Sequence, residues 1–208
     1  MLDCGKKGDA VINRREFLEA AAISAIPAMT SASPGAPRTQ ADTSAPALHT
    51  VVIDSRHGEA RSLGAGFAAQ GTRVAVLADG DVTQLWLRDI GPAWRARRAP
   101  IAGLTTRSSL FCLEQLSLGY GLRVVFHAEH VVHPQGRTGH QVFRGGDMVG
   151  LSARSLALAG PLWPTRVAEV LAQHARFAGR ERQGLSDSAL SPTLPPGATL
   201  LTSWIIAA

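Results

Sequence analysis

Thr50-Val51-Val52-Ile53, followed at once by Asp54-Ser55-Arg56-His57, is the stretch whose reading decides the fold. β-Branched residues in unbroken succession put apolar bulk on both sides of an extended chain, the pattern of a strand covered on both faces. The abrupt change to acid, hydroxyl and base marks the point where that strand leaves its sheet. Glu59 to Gln70 then carries Ala60, Leu63, Phe67 and Ala68 at helical spacing, and Gly71 stands where a helix C-cap is wanted. Arg73-Val74-Ala75-Val76-Leu77 is a second strand, so the segment reads as a compact βαβ unit.

The alternation continues outward as far as His133. Thr83 to Ile90 is predicted helical, with Leu85, Trp86 and Ile90 on its apolar face and Gly91-Pro92 as its stop; Trp94 and Arg95 to Arg98 fall on a short connector. Ile101-Ala102-Gly103-Leu104 is a third strand. Ser108 or Ser109 can cap a third helix bearing Leu110, Leu113 and Leu116, and Leu122-Arg123-Val124-Val125-Phe126 is a fourth strand. After Pro134, Gly136, Gly139, Gly145, Gly146 and Gly150 break the chain into short pieces, most simply a hairpin or bulged loops. Thr165 to Phe177 is an amphipathic helix, and Leu200 to Ile206 a closing strand expected at a sheet edge. The expected fold class is α/β: a small open, mostly parallel, Rossmann-like sheet of about four βα units, with an added C-terminal helix and edge strand. The expected organisation is a signal over residues 1–32, a flexible linker over 33–47 and a single α/β domain over 48–208.

Composition supports one folded domain. Of 208 residues 45% are hydrophobic and 18% charged, enough for a buried core and against global disorder. The net charge of +5 is scattered: Lys6 and Lys7 are the only lysines, and only Arg95, Arg97 and Arg98 form a tight cationic group. A nucleic-acid interface needs a basic stripe with aromatic platforms, so nucleic acid is not expected as a partner. A small anionic ligand remains compatible with the cationic excess.

At the N-terminus, Arg14-Arg15-Glu16-Phe17-Leu18 precedes the apolar run Ala20 to Met29, and a zone of small residues with Pro follows it. A charged region, a short apolar segment and small residues make an export signal, and the run is too short to span a bilayer. The segment resembles a twin-arginine translocation signal, through Arg14, Arg15, Phe17 and Leu18; Asn13 precedes the pair, and Glu19 stands where a Lys is common. The resemblance implies engagement of the Tat translocase, crossing of the inner membrane in the folded state, a periplasmic address and no stable membrane anchor after cleavage near Ala32. Cleavage would remove Cys4 and leave Cys112 alone, so no intrachain disulfide is expected. The body resembles exported α/β proteins of proteobacteria through Ile53-Asp54-Ser55-Arg56, Asp79-Gly80-Asp81-Val82-Thr83 and Gly103-Leu104-Thr105-Thr106. That likeness transfers no residue role.

Candidate chemistry gathers where the strands end, which in an open parallel sheet is one edge. Gly103-Leu104-Thr105-Thr106-Arg107-Ser108-Ser109 hands a strand to a helix N-terminus through hydroxyls and an Arg, which is how an anion is held; an N-cap with a spare Thr pair is the plainer reading. It lacks the spaced glycines of a phosphate loop. Asp54, Asp79 and Asp81 become neighbours if the first two strands are adjacent, and such carboxylates hold a cation, split into acid and base, or serve as ordinary turns and caps. His127-Ala128-Glu129-His130, with His133, has the look of metal spacing. On a strand, however, His127 and Glu129 share one face while His130 points away, so no metal site is assigned, and His127 or His130 stands as a candidate general base. Cys112 sits among Leu110, Phe111 and Leu113 and reads as a buried small hydrophobe. His140 and Asp147 flank a Gly-rich loop.

The residues therefore point to a ligand site formed by Arg56, Asp79, Asp81, Thr105, Thr106, Arg107, Ser108 and Glu129, with Asp54 and His127 as the catalytic candidates. The motifs name no cofactor. Two functional classes follow: a periplasmic protein that binds a small anionic ligand or serves as accessory subunit to a co-exported enzyme, and a hydrolase or transferase with a His/Asp site at the strand ends.

Overall fold

A computed structural model of the chain describes residues 48–144, 151–174, 187–188 and 194–208. The signal and linker segments, with Asp147, lie outside the described residues. The first unit forms as the sequence dictates: strand β1 (Thr50–Asp54), helix α1 (Gly58–Ala69) and strand β2 (Val74–Leu77). Gly71, at φ 75°, closes α1 with its amide on the Ala68 carbonyl, 2.9 Å away, in the left-handed conformation a glycine adopts without strain.

The next crossover departs from expectation. Helix α2 (Thr83–Leu85) runs through a π-turn (Trp86–Ile90) into helix α3 (Gly91–Ala96), so Gly91-Pro92 does not stop it. The wide turn explains why. The Gly91 amide reaches back to the Trp86 carbonyl, and Pro92 then stands in the first turn of a fresh helical segment, where its missing N–H costs nothing. Trp94 accordingly lies in a helix, buried, its Nε1 donating to the Ala99 carbonyl at 3.0 Å, rather than on a connector.

Strand β3 (Ile101–Thr106) leads directly into helix α4 (Arg107–Leu118), and strand β4 (Arg123–Val132) turns back as a hairpin into strand β5 (Thr138–Arg144). Helix α5 (Ala153–Ala159), a 3-10 turn (Gly160–Leu162), helix α6 (Trp163–His174), the short strand β6 (Asp187–Ser188) and strand β7 (Thr199–Ala207) follow. Among the described residues the sheet has seven strands in the order β2-β1-β3-β7-β4-β5-β6. Only β2-β1-β3 is parallel; every other pairing is antiparallel.

The fold is α/β, and the mostly parallel Rossmann-like sheet is corrected to a mixed one. The cause is β7. Expected at an edge, it inserts between β3 and β4, pairing antiparallel with both. Its residues Leu201 to Ala207 are buried without alternation, as a central strand covered on both faces requires. Because β7 reverses direction between them, β3 and β4 still point the same way without touching.

Helices cover both faces. α1, α5 and α6 pack on one, around Leu63, Phe67, Leu104, Phe126, Leu156, Trp163 and Leu171. α2, α3 and α4 pack on the other, around Val52, Ile90, Trp94, Leu110, Leu113, Trp204 and Ile206. The chain steps from β1 outward to β2 and then back across β1 to β3, so connections of one hand must lie on opposite faces. α1 and the α2–α3 crossover do so. Among the described residues no helix is long and apolar enough to cross a membrane.

Candidate functional site

The reversal makes the carboxyl ends of β1 and β3 a topological switch point, the place where open α/β sheets form a crevice. β1 hands to α1 on one face while its neighbour β3 hands to α4 on the other, and the gap outside their carboxyl ends is where open α/β sheets receive ligands. Two polar poles line it.

At the first pole Asp54, wholly buried, accepts from Arg56 Nε at 2.9 Å and from Arg56 Nη2 at 2.6 Å, and its Oδ1 also takes the Arg56 amide at 3.2 Å. The Arg56 side-chain hydrogen bonds hold the Asp54 carboxyl below the usual carboxylate range, against a desolvation that pushes the other way. His57 Nε2 lies 3.8 Å from Asp54 Oδ2, too long for a hydrogen bond, and is buried without a partner among the described residues. The Ala78–Asp81 turn closes over this pair. Asp79 (φ 52°) and Gly80 (φ 78°) both adopt the left-handed conformation that a tight Asp-Gly turn demands. A Cβ on Gly80 would stand 2.6 Å from Arg56 Nη2, so a larger residue in this left-handed position would push the guanidinium off Asp54. Asp81 Oδ1 accepts the Thr83 amide at 2.8 Å, a capping bond that lowers its pKa.

The second pole belongs to β4 and α4. Arg107 Nη1, on an exposed side chain, donates to the buried Glu129 Oε1 at 2.7 Å, and His127 Nε2 approaches that oxygen to 3.8 Å. His127 also stacks on Phe143 with ring centroids 4.9 Å apart. Between the poles runs a floor of hydroxyls. Thr105 Oγ1 accepts from Trp204 Nε1 at 3.1 Å, and Thr202 Oγ1, paired in register between Thr105 and Glu129, is buried without a partner among the described residues. Thr106 precedes α4 as its N-cap, but its side chain caps no amide; its Oγ1 meets the hydroxyls of Ser108 and Ser109, each at 3.1 Å. Ser109 in turn donates to the Gly80 carbonyl at 2.8 Å and ties α4 to the turn above Asp54.

The sequence-predicted residues thus lie on one side of the sheet, yet not in one cluster, and His127 and Glu129 sit within β4 rather than at its end. Asp54 and His127, the catalytic pair, lie three strands apart, roughly 14 Å at ordinary strand spacing, so neither can pass a proton to the other. Arg56, Asp79 and Asp81 gather with Asp54; Thr105, Thr106, Arg107, Ser108 and Glu129 bridge toward His127. Among the described residues no three His, Cys, Asp or Glu side chains are placed to hold a metal. His130 faces away from His127, on the opposite side of the sheet, as strand alternation requires.

Sequence reasoning left His57, Ser109 and Thr202 out of the site. The Thr-Ser pair interrupting the apolar run Leu200 to Ile206 was the available signal for Thr202. Cys112 is corrected: it is exposed, because α4 turns Leu110 and Leu113 to the sheet and four consecutive apolar residues cannot share one helical face.

Neither a family model, nor a curated protein, nor a solved structure matches this chain.

Proposed function

We propose that the protein binds a small ligand through a compact anionic group seated at the N-terminus of α4, between Arg56 and Arg107. The observation that carries this reading is the uncapped start of α4 at the switch point. Its first amides have no partner from Thr106, the macrodipole favours negative charge there, and each guanidinium spends only part of its donors on its carboxylate. Net charge does not drive the binding. Two positive residues (Arg56, Arg107) face four negative ones (Asp54, Asp79, Asp81, Glu129), a formal balance of minus two, so selection rests on directional donors and the affinity is modest, on the order of 1 mM for a bare anion. A protein co-exported with this chain is a natural source of such a group.

Titration with inorganic phosphate, followed by amide NMR, tests the reading. Shifts concentrated at Arg107 to Leu110 and weakened several-fold by Arg107→Ala support it; shifts scattered over the surface arginines, or none at millimolar phosphate, overturn it. A hydrolase or transferase is the second reading, favoured by the unpartnered Nε2 of His57 beside Asp54. It requires turnover that His57→Gln abolishes while phosphate binding survives. We assign either activity to the periplasm after Tat-dependent export, on the strength of Arg14-Arg15 with Phe17-Leu18. Replacing both arginines by lysine is expected to leave the chain in the cytoplasmic fraction.

A further inference from the structure

The face of the sheet opposite the crevice holds a polar group that no ligand reading uses. His130 on β4 and His140 on β5 are 0% and 1% exposed, cross-strand partners whose Nδ1 atoms lie 2.8 Å apart. His130 Nε2 lies 2.8 Å from the Ser203 hydroxyl on β7. Trp163, the first residue of α6, covers them, stacked on His130 with centroids 4.2 Å apart and set edgewise to His140 at 5.2 Å. One indole thus joins the α5–α6 layer to β4 and β5, and through His130 to Ser203 on β7.

We propose that His130, His140 and Ser203 form an acid-sensitive latch, which pins α5 and α6 to the sheet when the imidazoles are neutral and releases that layer when they are protonated.

The geometry dictates the chemistry. Two nitrogens at hydrogen-bond distance hold one proton between them, so one ring donates and the other accepts, and the Ser203 hydroxyl rotates to suit either tautomer. A first added proton still leaves one donor and one acceptor. A second puts N–H on both Nδ1 atoms, and the bond becomes a repulsion between two buried cations. Among the described residues no carboxylate faces them. The group on β5 is His140 and on β7 the neutral Ser203; on β4 itself His127 lies across the sheet and opposes protonation of His130; α6 presents Trp163. The charged residues of the covering helices, Arg154, Arg166 and Glu169, are exposed, the last two paired with each other at 3.1 Å. Burial accordingly lowers His130 well below the ordinary histidine value and His140 to about 4. Because the folded values are depressed, the stabilisation is complete above about 6.5, the unfolded value, and is lost as pH falls through about 4.

Hydrogen–deuterium exchange of the folded chain between pH 7 and pH 4.5, corrected for intrinsic rates, tests the latch. Protection of α5 and α6 is expected to fall on the order of 100-fold for each ring relative to β1 and β3. His140→Gln, which keeps an amide partner for His130 but does not titrate, should remove the share of His140, leaving a fall of about 100-fold from His130 alone. Equal pH dependence in wild type and variant overturns the proposal. Should the variant not fold, imidazole NMR of the wild type decides: coincident titration of both rings with α6 opening upholds the latch, and a ring titrating near 6.5 while α6 stays protected overturns it.

Discussion

The two faces of one sheet handle buried polarity in opposite ways. On the crevice face the two buried carboxylates are matched with guanidinium groups, Asp54 with Arg56 and Glu129 with Arg107. On the other face two buried imidazoles share a hydrogen bond and, among the described residues, have no counter-ion. The difference follows from depth. A carboxylate at the end of a strand can recruit an arginine whose stem lies on the protein and whose head meets water. His130 and His140, under Trp163, are reachable only by groups already inside the core, and a neutral ring is what such a place tolerates.

The sharpest way to break this contrast is at His130. His130→Ala removes a stacked ring and leaves Ser203 and His140 with unmade bonds inside the core, so about 3–5 kcal/mol should be lost in urea unfolding. Asp54→Ala should cost less, about 1–3 kcal/mol, since the freed Arg56 can turn to water. The two faces should also separate with pH. Between pH 6.5 and about 4 the histidine face alone weakens, whereas Asp54, whose folded value is depressed, gives a stabilisation present above 3.8 and lost as pH falls further. Thermal unfolding followed across that range should show two descending steps; a single step below pH 4 would erase the distinction. Arg107→Ala, at a solvent-screened pair, should cost about 1 kcal/mol or less while weakening phosphate binding several-fold. At the small end, Cys112→Ser on the exposed side of α4 should stay within about 0.5 kcal/mol of wild type.

Local chemistry was legible in the sequence and long-range pairing was not. β1, α1 and β2 lie where the β-branched run, the helical spacing and Gly71 put them, because each is decided within a few residues. The placement of Asp54, Thr105 and Arg107 at strand ends followed from the same local signals. The partner of β7 depends on residues almost a hundred positions away, and Leu200 to Ile206 reads the same at an edge or in the middle; only its lack of alternation hinted at the centre. β4 runs past Phe126 to Val132 because β5 and β7 supply backbone partners, which turned His127 to His130 from a strand end into strand interior. The same pairing makes His140 the neighbour of His130, a contact no spacing rule reveals. The π-turn escaped because Gly91-Pro92 is an ordinary stop unless the preceding turn widens.

The late insertion of β7 also sets an order of events during synthesis. β3 ends at Thr106 and β7 begins at Thr199, 93 residues later, an interval of roughly 5–20 s at ordinary elongation rates of about 5–20 residues per second. Once Arg144 has been made, for the last 55 residues of that interval, the β1–β3 unit and the β4–β5 hairpin both exist as chain, yet the strand that unites them has not been made. The flank of β3, with Ile101, Gly103 and Thr105 awaiting their cross-strand partners, is for those seconds an open template for any extended segment. Nascent chains stalled within that interval should therefore be the ones that recruit chaperones or aggregate, and chains released just beyond Ala207 should be the first to keep themselves apart.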